Sequence, residues 1–201
     1  MNEINLDKIC AEYGMDLAGI TKELYTRIIE ILSLTNTYEE FLQSNYENID
    51  EKINDFLSYK LINPLENLKK SINKLAKDKK KGEEFKRLRQ KPPTFAPDVF
   101  ETEITKALGI LVEDGPFAYL IWLKSQDKEP HQAMLIQTAR LLAQVKIVEL
   151  DRTKNIKEEL ENKFLNEVSN NLNKLIFTKT LLEKMLIYAR YKTKAMQHEK
   201  G

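Results

Sequence analysis

Apolar residues recur along this chain at intervals of three and four, the period of an α-helix with one buried face. Leu17, Ile20, Leu24, Ile28, Ile31 and Leu32 form one such stripe from Asp16 onward, and it stops at the small polar cluster between Thr35 and Thr37. Tyr38, Phe41, Leu42, Tyr46, Ile49, Ile53, Phe56 and Leu57 form a second stripe, which predicts an antiparallel partner for the first. Pro64 suits the first turn of a third helix, where its missing N–H costs nothing. Leu65, Leu68, Ile72 and Leu75 are its apolar positions, and the stripe ends beyond Ala76.

Periodicity resumes after Pro97. Asp98, with Glu101 three residues later, reads as a capping box ahead of Ile104, Ala107, Leu108 and Leu111. That helix is expected to end near Glu113 and Asp114, after which Gly115 offers an N-cap and Pro116 a first helical residue. From Phe117 to Leu123 the chain is apolar without interruption, predicting a central, buried helix. Pro130 opens another helix through Leu135, Leu142, Val145 and Val148, and a polar stretch leads on to Leu160, Phe164, Val168 and Leu172. A second capping box, Thr180 with Glu183, places the last helix over 180–198, with a start at Leu175 as the alternative.

Six glycines and six prolines supply too few turns for a strand-rich fold, while 42% hydrophobic residues are enough for a packed core. The expected class is all-α: a helical bundle of N-terminal amphipathic helices plus a C-terminal multi-helix bundle. Cys10 is the only cysteine, so no intrachain disulfide can form, and a reducing cytoplasmic compartment is expected. No apolar run approaches the roughly 18 to 20 residues that span a bilayer, and the first residues are acidic. Neither membrane insertion nor secretion is expected.

The net charge of +1 conceals an uneven distribution. Residues 1–68 hold 5 Lys/Arg against 13 Asp/Glu, residues 69–91 hold 11 against 3, and residues 92–201 hold 16 against 15. A lysine run at 77–81 and the prolines at 92, 93 and 97 fall between two periodic segments, and prolines oppose helix. The expected organisation is an acidic helical segment over 1–77, a basic, proline-containing junction over 78–97, and a helical bundle over 98–198. A second basic segment, 163–201, carries 8 basic against 3 acidic side chains.

Phosphate-binding glycine loops, HExxH, paired CxxC and Gly-x-Ser-x-Gly motifs are all absent. No catalytic, metal or cofactor site is expected. The two histidines, His131 and His198, have no cysteine or carboxylate at metal-ligand spacing and read as surface residues. Arg190 and His198 suggest a helical ribonuclease, but positions eight apart lie about 12 Å apart along a helix axis, too far to share one phosphate. Basic side chains point instead to nucleic-acid backbone. Lys79, Lys80, Lys81, Lys86, Arg87, Arg89 and Lys91 lie in the junction, beside Phe85. Lys184, Arg190, Lys192 and Lys194 lie with Tyr191 on the last helix, and together they offer charge and stacking surface for sequence-independent contacts. The same basic run also reads as a solvated helix and linker.

Two stretches carry a family resemblance. Lys106-Ala-Leu-Gly-Ile-Leu-Val-Glu-Asp-Gly-Pro-Phe-Ala-Tyr-Leu-Ile-Trp-Leu-Lys-Ser125 resembles the helix, glycine turn and apolar helix of the small helical subunit of type III CRISPR effector complexes. Thr178-Lys-Thr-Leu-Leu-Glu-Lys-Met-Leu-Ile-Tyr-Ala-Arg-Tyr-Lys-Thr-Lys-Ala195 is similar to that family's closing helix. Tyr188 stands where the family pattern leads one to expect tryptophan, and the first 90 residues exceed a minimal small subunit. The resemblance implies a non-enzymatic role in antiviral defence: bridging neighbouring protein subunits of an RNA-guided complex and holding RNA through phosphate contacts, with self-association possible. Two other readings stand beside it, a protein-only helical adaptor and the ribonuclease.

Overall fold

The computed structural model describes residues 5–45, 55, 57–58, 64–75, 78–90, 97–126, 128–151 and 154–198. Every regular element among them is helical: α1 (Leu6–Leu34), α2 (Tyr38–Gln43), α3 (Pro64–Asn73), α4 (Asp78–Gln90), α5 (Pro97–Glu113), α6 (Gly115–Ser125), α7 (Glu129–Gln144), α8 (Ile156–Lys163), a π-helical turn (Phe164–Val168) and α9 (Leu172–His198). The all-α expectation holds. Tyr46, Ile49, Ile53, Phe56, Lys91, Pro92 and Pro93, which the sequence reading singled out, lie outside the described residues.

Helix α1 begins ten residues before the stripe noted at Asp16. The Asn5 side chain accepts a hydrogen bond from Lys8 N–H at 3.0 Å, satisfying one of the free donors at the helix start. At the other end, Thr35 leaves the helix in an extended conformation, and Thr37 caps α2 by accepting from Glu40 N–H. The break between Thr35 and Thr37 is thus where the sequence placed it. Of the second stripe, Tyr46, Ile49, Ile53 and Phe56 lie outside the described residues, while Tyr38, Phe41 and Leu42 share an apolar cluster with Ile28, Ile31 and Leu32 of α1. Helix α2 packs on α4, with the rings of Phe41 and Phe85 5.6 Å apart, whereas α1 has its principal partner in α9, at the far end of the sequence.

Two apolar clusters follow from this. The larger joins Cys10, Leu17, Ile20 and Leu24 of α1 to buried residues of α5, α6, α7, α8 and α9. The smaller gathers Ile28 and Leu32 of α1 with Phe41, Leu65, Ile72, Phe85 and Leu88. Helix α1 belongs to both, so the acidic N-terminal segment and the C-terminal bundle share one core. Residues 78–90 form a helix anchored by Phe85 and Leu88, not an open junction, because two apolar residues three apart suffice to seat one face.

The most enclosed helix is α7, in which every residue from His131 to Ala139 is buried. The sequence reading assigned that place to the segment 117–123. Helix α6 instead buries Tyr119, Leu120 and Leu123 on one side and leaves Phe117 and Ile121 exposed. Polar side chains can be interior in α7 because each finds a partner: Gln137 donates to Tyr13 O at 2.9 Å, Thr138 shares a hydrogen bond with Tyr119 at 3.0 Å, and His131 meets Glu103.

Two local signals are redistributed. Helix α5 starts at Pro97, and the expected capping box at Asp98 does not form; Glu101 turns to Arg190 and Lys194 of α9 instead. Asp114 flanks α6, and Gly115 takes φ +88, a left-handed conformation that reverses the chain between α5 and α6 and strains any side chain with a Cβ. Helix α9 starts at Leu172, ahead of both Leu175 and Thr180, since Asn171 accepts from Lys174 N–H at 3.0 Å and caps it there.

Candidate nucleic-acid interface

Helix α4 carries most of the basic side chains that the sequence singles out. Phe85 and Leu88 turn inward, and Lys79, Lys80, Lys86, Arg87 and Arg89 are exposed. At 100° per residue, Lys79, Lys80, Lys86 and Arg87 fall within an arc of about 120°, spread over about 12 Å of axis. Glu83 lies within the same arc. Arg87 is tied to Glu84 by a 2.9 Å hydrogen bond. Lys81 is half-buried with its ammonium 5.8 Å from the centre of the Tyr38 ring, and the Arg89 guanidinium sits 6.0 Å from that of Phe85. Lys79, Lys80 and Lys86 form no ion pair among the described residues. Phe85, noted as stacking surface, is instead a buried anchor.

The basic residues of α9 have other duties. Lys184 donates to Asp7 at 2.8 Å, and Tyr188 donates to the same carboxylate at 2.9 Å. Those bonds hold the Asp7 carboxyl below its ordinary range and raise the Lys184 ammonium. Arg190 and Lys194 converge on Glu101 at 3.7 and 3.3 Å. Lys192 is half-buried and Tyr191 is exposed. These contacts weld α9 to α1 and α5, and they pair three of the four basic residues singled out on it, two of them with the single carboxylate of Glu101. Arg190 is therefore committed to Glu101, and the side chain of His198, its partner in the ribonuclease reading, lies outside the described residues.

Chain connectivity sets only an upper bound on the separation of the two basic groups. Seven peptide steps separate Gln90 from Pro97, at most about 25 Å. One turn beyond Pro97, Glu101 touches Arg190 and Lys194. A half-open groove of about 220 Å³ flanks α4, lined by Asn67, Ser71, Glu84, Arg87 and Glu129 over Leu68 and Leu88. Its two carboxylates are held by Arg87 and Asn67, and with Arg87 the one cation in its lining the groove keeps a net negative charge.

Sequence reasoning placed His131 on the surface; the structure buries it. Its Nε2 lies 2.9 Å from Glu103, the Trp122 ring meets it edge-on at 4.7 Å, and Nδ1 has no protein partner. Burial pushes the His131 pKa down against the opposing pull of Glu103, with Lys106 and Lys128 adding to the depression. For Glu103, burial raises the carboxyl, but Lys106 at 2.8 Å and His131 outweigh it and the net direction is down. A histidine held neutral in the fold favours the unfolded chain once pH drops below its unfolded pKa of about 6.5. Its contribution is complete above that pH and lost as pH falls toward the depressed folded value. Urea denaturation is expected to give lower stability at pH 5.5 than at pH 7.5, with the difference reduced in His131→Gln; equal pH dependence in both proteins would refute this. Among the described residues, no group of three or more His, Cys, Asp or Glu could hold a metal ion, and no helix is long and apolar enough to cross a membrane.

Comparison with protein-family models, curated proteins and solved structures finds no match to this chain.

Proposed function

We propose that this chain is a non-enzymatic helical subunit of a ribonucleoprotein, RNA-guided and of the type III CRISPR kind that its sequence resembles, with α4 as its phosphate-contacting element. One observation carries the reading: Lys79, Lys80 and Lys86 project from a helix fixed by Phe85 and Leu88, and no carboxylate among the described residues pairs with them. Cations on a rigid support lose less conformational freedom on meeting a polyanion than cations on an open linker. The contacts would be to backbone, since nothing on α4 is arranged to read base edges. Lys184, Arg190 and Lys194 contribute less to binding in this reading, because each is already held in an ion pair with Asp7 or Glu101.

Fluorescence polarisation with a labelled oligouridine tests the proposal. The full-length chain is expected to bind at low salt, with log K falling linearly in log salt concentration. The variant Lys79→Ala/Lys80→Ala/Lys86→Ala/Arg89→Ala should bind at least about tenfold more weakly and lose up to about 3 units of the salt slope, at about 0.7 per phosphate contact. By contrast, Lys184→Ala/Lys194→Ala should bind almost as well as the parent. Absence of low-salt binding, or a larger loss in the α9 variant than in the α4 variant, would overturn it.

A further inference from the structure

Helix α9 lies between α1 and α5 in the bundle. On one flank Lys184 and Tyr188 reach Asp7; on the other, Lys179 donates to Val112 O while Arg190 and Lys194 reach Glu101. Between those flanks its outward side is uncovered and carries large apolar residues among polar ones. Leu172, Ile176, Ile187 and Tyr191 are between 41% and 68% exposed there. With Thr180 and Glu183 they occupy an arc of about 100° and run for about 28 Å, which makes one continuous stripe. No other helix among the described residues covers it.

The order of that stripe is symmetric. Leu172, Ile176, Thr180, Glu183, Ile187 and Tyr191 are spaced four, four, three, four and four apart, the same read from either end, and Asn173 and Arg190 at the edges of the same arc are related by that symmetry too. A two-fold axis crossing α9 between Leu181 and Leu182 therefore sets Leu172 against Tyr191 of a second copy, Ile176 against Ile187, and Thr180 against Glu183. Large apolar residues meet large apolar residues, Thr180 sets a hydroxyl against the Glu183 carboxylate, and Asn173 stands opposite Arg190.

Charge follows the same symmetry. Arg190 and Lys194 stand at one end of the stripe and share one carboxylate, Glu101, among the described residues. Toward the other end, beside Val112 and Lys179, α5 finishes in Glu113 and Asp114, both exposed. Antiparallel pairing carries the basic end of each copy over the acidic end of the other. Lys179 and Lys184 also face each other across the axis, but each has its own carboxylate, Glu183 at 3.8 Å and Asp7 at 2.8 Å. We infer that the chain forms a two-fold homodimer in which α9 packs antiparallel on α9 of a second copy through this stripe. Such an isologous contact closes on itself and leaves no second site for further growth. It is independent of the RNA-binding reading, since α4 takes no part in it.

Light scattering on the full-length chain, eluted across a concentration series, should show a species of about 47 kDa, twice the 23.5 kDa of one chain. The double variant Ile176→Asp/Ile187→Asp alters two exposed positions, so its circular dichroism should match the parent while its dimer dissociates at least about a hundredfold more readily. Cross-linking fixes the direction of pairing and does not depend on that variant folding. A bismaleimide spanning about 8 to 10 Å, the separation of packed helix axes, should join Ile176→Cys to Ile187→Cys in a mixture of the two. Each variant alone should resist it, because like positions lie about 16 Å apart along the axis. Cys10 is buried and should not react. A monomer up to about 100 µM, a dimer indifferent to the two aspartates, or cross-linking of Ile176→Cys to itself would each overturn the inference.

Discussion

Gly14→Ala is expected to destabilise the fold by about 3 kcal/mol or more, at or beyond the upper end of what overpacking costs. Gly14 faces α9 where the two longest helices touch. A Cβ there would collide with Met185 O and lie 2.8 Å from Tyr188 Cβ and 2.9 Å from Ala189 N. Two of those three atoms are backbone, so no rotamer change relieves the clash; α1 and α9 must move apart. Separation would loosen the contacts of Cys10 and Leu17 with α9 and stretch the bonds from Asp7 to Lys184 and Tyr188. Gly19 provides the comparison. A Cβ on it meets nothing within 4 Å, so Gly19→Ala should gain the usual helical preference for alanine, about 0.5–1 kcal/mol. Opposite signs in urea denaturation, for the same substitution five residues apart, are the expected outcome. Equal effects would mean that the α1–α9 crossing is not as close as described.

Phe85→Ala should cost about 3–5 kcal/mol in the smaller cluster while leaving the larger one nearly intact. That cluster contains seven buried residues, and Phe85 both packs on Phe41 and lies under the Arg89 guanidinium. Its loss removes the principal anchor of a helix whose other residues are mostly charged. The expected consequence is local opening of α4 and α2 without global unfolding. Hydrogen exchange should accelerate across 38–43 and 78–90, while amides of α5, α7 and α9 stay protected. RNA affinity should fall too, although no cation has been removed, because Lys79, Lys80 and Lys86 would lose their fixed support. Uniform acceleration along the chain would show instead that the two clusters unfold as one.

Most helices were legible as apolar stripes, and the errors cluster where a polar or small residue has an unusual role. The stripe read from the sequence starts at Asp16, whereas α1 begins at Leu6, and Gly14, within the added stretch, is a point of close approach to α9. The run 117–123 looks like the most buried segment, yet α7, with His131, Gln132, Gln137 and Thr138, is more enclosed. Periodicity weighs each side chain by its own polarity. It has no access to the partner that makes burial affordable, here Glu103 for His131, Tyr119 for Thr138 and the Tyr13 carbonyl for Gln137. Likewise the α9 cations were visible as charge, but Asp7 and Glu101 lie 177 and about 90 residues away along the chain, and only folding sets them alongside.

By itself the sequence determined the helical class, the break at Thr35 to Thr37, the turn at Gly115 and Pro116, and the concentration of basic residues near 79–91. Each of these is written in neighbours a few residues apart, at the range over which helical period, capping and glycine geometry act. Tertiary structure alone decided that the acidic first helix pairs with the last, that the basic segment 78–90 is an anchored helix, and which cations have no ion-pair partner among the described residues. Those outcomes depend on contacts between residues far apart in the chain, whose strength rests on burial and on partners that no local pattern specifies.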